Sequence, residues 1–174
     1  MKQLQTYEKQ IGENRFFIRP FKAFDAAYIS AELVNLLSPI LGVIAPMMGA
    51  SGEGEEAANI MDMDAEKVID KATPALTRIS GEKLESVMKT LMIQHGNVSV
   101  EGPVTEGGTA VLSEDLANEV FCGELQDMFV LCFEIIRINY KGFFKKLGDR
   151  FGGLADLLQS PKDKTNTGGS ASST

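Results

Sequence analysis

Tryptophan is absent, histidine occurs once and cysteine twice in a chain of 174 residues. Each scarcity removes a class of chemistry. A structural zinc site wants Cys and His in close pairs, whereas here Cys122 and Cys132 stand ten residues apart and His95 is alone. Nucleophilic catalysis lacks a base: there is no G-x-S-x-G, and no second activating group beside either thiol. His95 sits in "IQHGN", the end of an expected helix, where it reads as a cap or surface residue. Two cysteines do not make a disulfide framework. On one helix their Cα atoms would lie about 15 Å apart, and a bridge needs less than about 7 Å. Both thiols therefore read as small buried hydrophobes.

Basic charge is also short. Lys and Arg number 17 against 24 Asp and Glu, a formal net charge of −7 with a pI of about 4.8. A patch able to hold duplex nucleic acid is not expected from that balance. The glycine-rich "GASGEGEE" is acidic, and no Lys follows it at Walker spacing, so it does not read as a phosphate loop. "DMDAE" at 62–66 resembles the opening of a calcium loop without its glycine and terminal glutamate; it reads as a helix start. The opening "MKQLQTYEKQIGENR" has no apolar signal core, so a reducing, cytoplasmic setting is expected. The one long uncharged run, "LVNLLSPILGVIAPMMGASG" at 33–52, has the length of a membrane span. Pro39, Gly42, Pro46 and Gly49 interrupt it, and no Lys/Arg cluster or aromatic belt flanks it. A buried helical hairpin or a partner-facing apolar surface fits it better.

What is present is an ordinary globular composition, 44% apolar and 24% charged. The length suits one domain, assigned to 1–159 with an acidic flexible loop at 49–59. The tail "SPKDKTNTGGSASST" at 160–174 has almost nothing to bury and is expected to be disordered. "LQTYEKQI" and "RFFIRPF" form a hairpin about Gly12-Glu13-Asn14. "AFDAAYISAELVNLL" follows as helix with Asp25 as a possible N-cap, and Ser38-Pro39 and Thr73-Pro74 read as fresh helix starts. Ser80 opens a helix with Leu84, Val87, Met88, Leu91 and Met92 at the amphipathic spacing, and Gly96 ends it. "NVSVEGPVTEGGTAVL" alternates as a second hairpin. Ser113 caps a long helix running to about Lys141, with Glu114 and Asp115 in its first turn. The order predicts an α+β fold, mostly α-helical: a helical core with two small β-hairpins able to pair into one antiparallel sheet.

The long helix carries the sharpest question. Phe121, Leu125, Met128, Cys132 and Ile136 form a core stripe, widened by Cys122, Phe129, Phe133 and Ile135. Asp127 and Glu134 share another face with Glu124, Arg137 and Lys141, the pattern of a solvated charged stripe. Yet Val130, Leu131 and Ile138 fall beside those charges. A helix apolar on more than one side is either central in its fold or docked against a second body, and both readings stay open. The eight methionines suit adaptable surfaces as well as core filling. No active site is visible, which favours a binding or assembly role over an enzyme.

Three stretches carry a family resemblance: "FFIRPFKAFDAAYISAELVNLLSPILG" (16–42), "SGEKLESVMKTLMIQHGNVSVE" (80–101) and "LSEDLANEVFCGELQDMFVLCFEIIRINYKGFFKKLGDRFG" (112–152). They resemble the tail assembly chaperones of long-tailed, siphovirus-type bacteriophages and prophages. The resemblance implies a non-enzymatic protein that binds and solubilises the tape measure protein before tail tube subunits polymerise around it. It implies work in the host bacterial cytoplasm and absence from the mature virion. It also implies many copies per client, hence self-association, with tail tube protein as a further contact. No cofactor, metal, nucleic acid or membrane is implied. A longer frameshifted form occurs in some such families, and the end after Ser160 would suit an extension. Candidate client-facing residues are Leu36, Leu37, Ile40, Leu41 and Ile44, and Val130, Leu131 and Ile138. The alternatives are a structural tail or connector protein retained in the virion and, behind it, a membrane-active protein using 33–52.

Overall fold

The computed structural model describes residues 5–47, 62–76 and 79–158, and the side chains of these except 37–47, 71, 75–78 and 143–158. The loop at 49–59 and the tail at 160–174 fall outside the described residues.

Strands β1 (Tyr7–Ile11) and β2 (Asn14–Ile18) pair antiparallel across a two-residue turn, Gly12-Glu13. Asn14, expected in the turn, is instead the first residue of β2 and pairs with Ile11. Gly12 has φ +55, a backbone that calls for glycine, and a Cβ there would sit 2.6 Å from Asp127 Oδ2, so that carboxylate would have to swing aside. β2 pairs with β3 (Val98–Glu101) and β3 with β4 (Thr109–Val111), giving one antiparallel sheet in the order β1-β2-β3-β4. The two expected hairpins are thus joined through β2 and β3. The register sets Phe16 opposite Val100 and Ile18 opposite Val98. Period-two alternation sends these four side chains to one face, where all are fully buried. Phe17 and Ser99 on the other face are only half-buried.

Helix α1 (Ala23–Met47) runs through Pro39 and Pro46 rather than restarting at Ser38. It begins ahead of Asp25, which lies in its first turn and not at its cap. Ile29, Leu33 and Leu36 form its inner face. Helix α2 (Ala65–Leu76) also passes through its proline, Pro74. Thr73 Oγ1 donates to the Ile69 carbonyl at 3.0 Å, within the turn that precedes the proline. The start at Asp64 matches the sequence expectation, since its carboxylate accepts from Glu66 N–H at 3.1 Å.

Helix α3 (Gly81–Lys89) is capped by Ser80, whose hydroxyl accepts from Lys83 N–H at 3.4 Å. Its continuation is not α-helical. Thr90–Gln94 forms a π turn in which Thr90, Leu91 and Met92 are all buried, and Gly96 at φ +55 ends it. His95 lies beside α1: its Nδ1 is 3.6 Å from Asp25 Oδ2, and its ring meets Phe21 edge-on at 5.4 Å.

The expected long helix is two helices. Helix α4 (Glu114–Val120) is capped by Ser113, whose Oγ accepts from Leu116 N–H at 3.2 Å. The chain then breaks, with Gly123 at φ +82, and α5 (Leu125–Leu158) begins. Helix α5 is the centre of the molecule. Every residue from Val130 to Ile136 is buried, so this stretch is covered on all sides. Tyr140 donates from its hydroxyl to the Ala26 carbonyl at 2.9 Å, and Asn139 Oδ1 accepts from Phe21 N–H at 2.7 Å. These bonds tie α5 to the start of α1.

Candidate partner-binding groove

The break after α4 opens a cleft at the surface. Phe121 ends α4 and stacks on Phe16 of the sheet, centroids 5.7 Å apart and rings 3° from parallel. That stack pins one wall. The chain then turns at Gly123 and exposes Leu125, the first residue of α5, at 57% of its surface. Opposite stand α3 and the π turn. Between them lies an open cleft of about 550 Å³. Its floor and walls are apolar: Leu84, Met88 and Met92 from one side, Leu125, Met128 and Phe129 from the other. Three methionines in one cleft give a lining that can repack around different shapes.

The rim is charged. Lys89 Nζ lies 2.9 Å from Glu85 on its own helix and 2.7 Å from Glu114 on α4, so it bridges the two walls. The two carboxylates hold the Lys89 amine well above its usual range, and Lys89 draws Glu85 below the ordinary carboxylate range. All three are solvent-exposed, so this network orients the rim more than it stabilises the fold.

Cys122 is on the groove wall and exposed, which corrects its expected place in the core. Cys132 is buried, and burial alone pushes its thiol up to about 12. Neither is in a disulfide. Among the described residues no group of three or more His, Cys, Asp or Glu is placed to hold a metal ion, and no helix is long and apolar enough to cross a membrane.

The residues expected to meet a partner fall elsewhere. Val130 and Leu131 are 4% and 0% exposed and belong to the core, so they present no surface in this fold. Ile138 is half-buried against the same core. Leu36 is also buried, while the side chains of Leu37, Ile40, Leu41 and Ile44 lie outside those described. The physical reason for the correction is that α5 is covered on both of its apolar sides. The charged stripe needs the same correction: Glu134 is only 2% exposed. It pairs with Arg137 one turn on, and Lys9 Nζ of β1 lies 3.1 Å from its Oε1, close but poorly aligned for a hydrogen bond.

The groove residues were individually visible in the sequence as the inner stripes of two helices. What hid the groove was the reading of α4 and α5 as one rod, which would have closed it. Gly123 was the available signal. Elsewhere Phe24 and Tyr28 on α1 are 91% and 66% exposed, and the Tyr28 hydroxyl donates to Glu32 Oε1 at 3.4 Å.

Fold and surface together define a class: a mostly helical α+β protein with one four-stranded antiparallel sheet and an apolar groove beside its central helix. The particular family follows from comparison with known families. The model described as "Phage tail assembly chaperone protein, TAC" matches residues 12–154, and the chain belongs to that family. The match takes in every residue of the groove. No curated protein and no solved structure matches the chain.

Proposed function

We propose that this tail assembly chaperone binds the tape measure protein of its phage and keeps it soluble until the tail tube forms, acting in the host cytoplasm and leaving before the virion is complete. The observation that carries the reading is the groove: an apolar, methionine-lined cleft open at the surface of a family member. A tape measure protein is long and helical, and each of its apolar stripes needs cover before assembly. A cleft of this kind takes the apolar face of one helix. A long client offers many such faces, so many copies of the chaperone act on one chain, and contacts between copies and with tail tube protein belong to the same proposal. The net charge of −7 supports solubility of the coated complex.

The test is co-expression with the cognate tape measure protein. The expected result is a soluble client that co-purifies with this chain. An insoluble client that does not co-purify overturns the reading. Recovery of this chain at fixed stoichiometry in purified virions would replace it with a structural role.

A further inference from the structure

Helix α1 carries two faces. The inner one is Ile29, Leu33 and Leu36, all buried. On the opposite side Phe24 and Tyr28 are 91% and 66% exposed, and Ala27, Ala31 and Asn35 beside them are exposed as well. Positions 24, 28, 31 and 35 are spaced by four, three and four residues, so they form one row along the helix. The outward face of a helix ordinarily carries charge. Here Asp25 and Glu32 are the only charges from Phe24 to Met47, and helical spacing sets both at the border of the row. Each acid has a neighbour of its own: Glu32 accepts from the Tyr28 hydroxyl, and Asp25 lies 3.6 Å from His95. Two large rings side by side on an uncharged face are a patch, not scattered exposure.

The row is complementary to itself. Phe24 and Tyr28 are its large members, Ala27 and Ala31 its small ones. Consider two copies of α1 laid antiparallel, with the twofold between positions 27 and 28. Phe24 of each copy then lies over Ala31 of the other, and Tyr28 over Ala27. All four rings meet a methyl group, and alanine lets the two backbones come close enough for contact. A parallel pair would instead set ring on ring at both positions. We propose that the outward face of α1 is a homodimer interface, in which two copies of this chain pack antiparallel through Phe24 and Tyr28. A twofold contact uses the same face on both copies and closes on itself, giving a dimer and not a filament. The proposal names a surface for the contacts between copies in the client-binding reading above. Helix α1 supplies no residue to the groove, so pairing uses up neither groove, and one long client can engage two of them at once.

The test is sedimentation of the full chain across about 1–100 μM, a range in which modest interfaces dissociate. The mass should rise from that of one chain, 18.9 kDa, toward twice that value and stop there. Phe24→Ala removes the ring, and Ala31→Phe fills the space that receives it. Each should weaken association at least about tenfold. Combining the two exchanges large and small across the same contact, and should restore association to within about threefold of the original. All three changes lie at exposed positions, so circular dichroism, and melting measured at concentrations where the copies are apart, should be unchanged. Raising salt from about 0.05 to 0.5 M should not weaken the dimer, because its contacts are apolar and the bordering acids are alike in sign. A chain that stays monomeric throughout overturns the proposal. So does a dimer indifferent to Phe24→Ala, a double variant that is not restored, or association lost in salt. If Phe24→Ala abolishes capture of the tape measure protein by a chain that is monomeric throughout, the face belongs to the client and the dimer is refuted. A dimer that behaves as described but does not co-purify with the tape measure protein refutes the client reading and leaves this one standing; a monomer that does co-purify does the opposite.

Discussion

Single residues in this chain do unlike things with like chemistry, and the two cysteines make the point. Cys122 faces the groove, whereas Cys132 is buried with its thiol pushed up to about 12. Alkylation of the native protein should modify one thiol quickly and the second only on unfolding, as mass spectrometry would count. Burial also sets a pH dependence. The folded state holds the Cys132 proton to higher pH than the unfolded chain, so between pH about 9 and 12 it binds more protons and stability falls as pH rises. Replacing Cys132 with Val should make that alkaline loss shallower in denaturant titrations. Glu134 is the second case. It is the buried member of its cluster, while Lys9 and Arg137 keep 39% and 33% of their side-chain surface. Removing the carboxylate leaves two cations that water can reach. Removing both cations leaves a buried charge with no partner. Lys9→Met with Arg137→Met should therefore cost roughly 3–5 kcal/mol, and Glu134→Leu clearly less, in chemical denaturation.

At the level of elements, the parts specified by local chemistry were legible from sequence and the parts specified at a distance were not. Ser80 and Ser113 cap helices because their hydroxyls serve amides three residues on. The hairpins follow from alternation and turn glycines. The break at Gly123 was missed because the apolar period carries on across it, and a glycine inside a helix costs only about 1 kcal/mol. It is the stack of Phe121 on Phe16, more than a hundred residues away in sequence, that fixes where α4 stops. The burial of Glu134 was hidden for the same reason, since one of its partners lies on β1. The prolines misled in the other direction: both helices hold their course through them, α2 while packed between α1 and α5. Gly123→Ala puts a side chain on a left-handed backbone and should cost about 1 kcal/mol or more, read as a lowered melting temperature. Along α1, Leu33→Ala should cost about 2–5 kcal/mol because Leu33 is fully buried. Phe24→Ala, at an exposed site, should stay within about 0.5 kcal/mol.

Taken whole, the molecule divides its labour: α5 and the sheet hold the fold, and the cleft beside them is the surface on which the proposed client binding rests. A groove lesson that spares the fold should separate the two roles. Leu125→Glu puts an acid in the first turn of α5, where the helix dipole favours it, so the melting temperature should stay within about 2 °C while solubilisation of the tape measure protein is lost. The π turn at Thr90–Gln94 also acts at this scale. In an α-helix each four-residue step overshoots a full turn by about 40°, so Leu84, Met88 and Met92 would fan away from one another. The wider turn needs more residues per revolution. It undershoots where the α-helix overshoots, and brings Met92 back into line with the other two in the groove. Segment length therefore sets how this wall packs, since Thr90, Leu91 and Met92 are all buried. Deleting one residue from 90–94 would keep nearly all the composition of this wall and turn Leu91 and Met92 out of their buried positions, so the melting temperature should fall by several degrees.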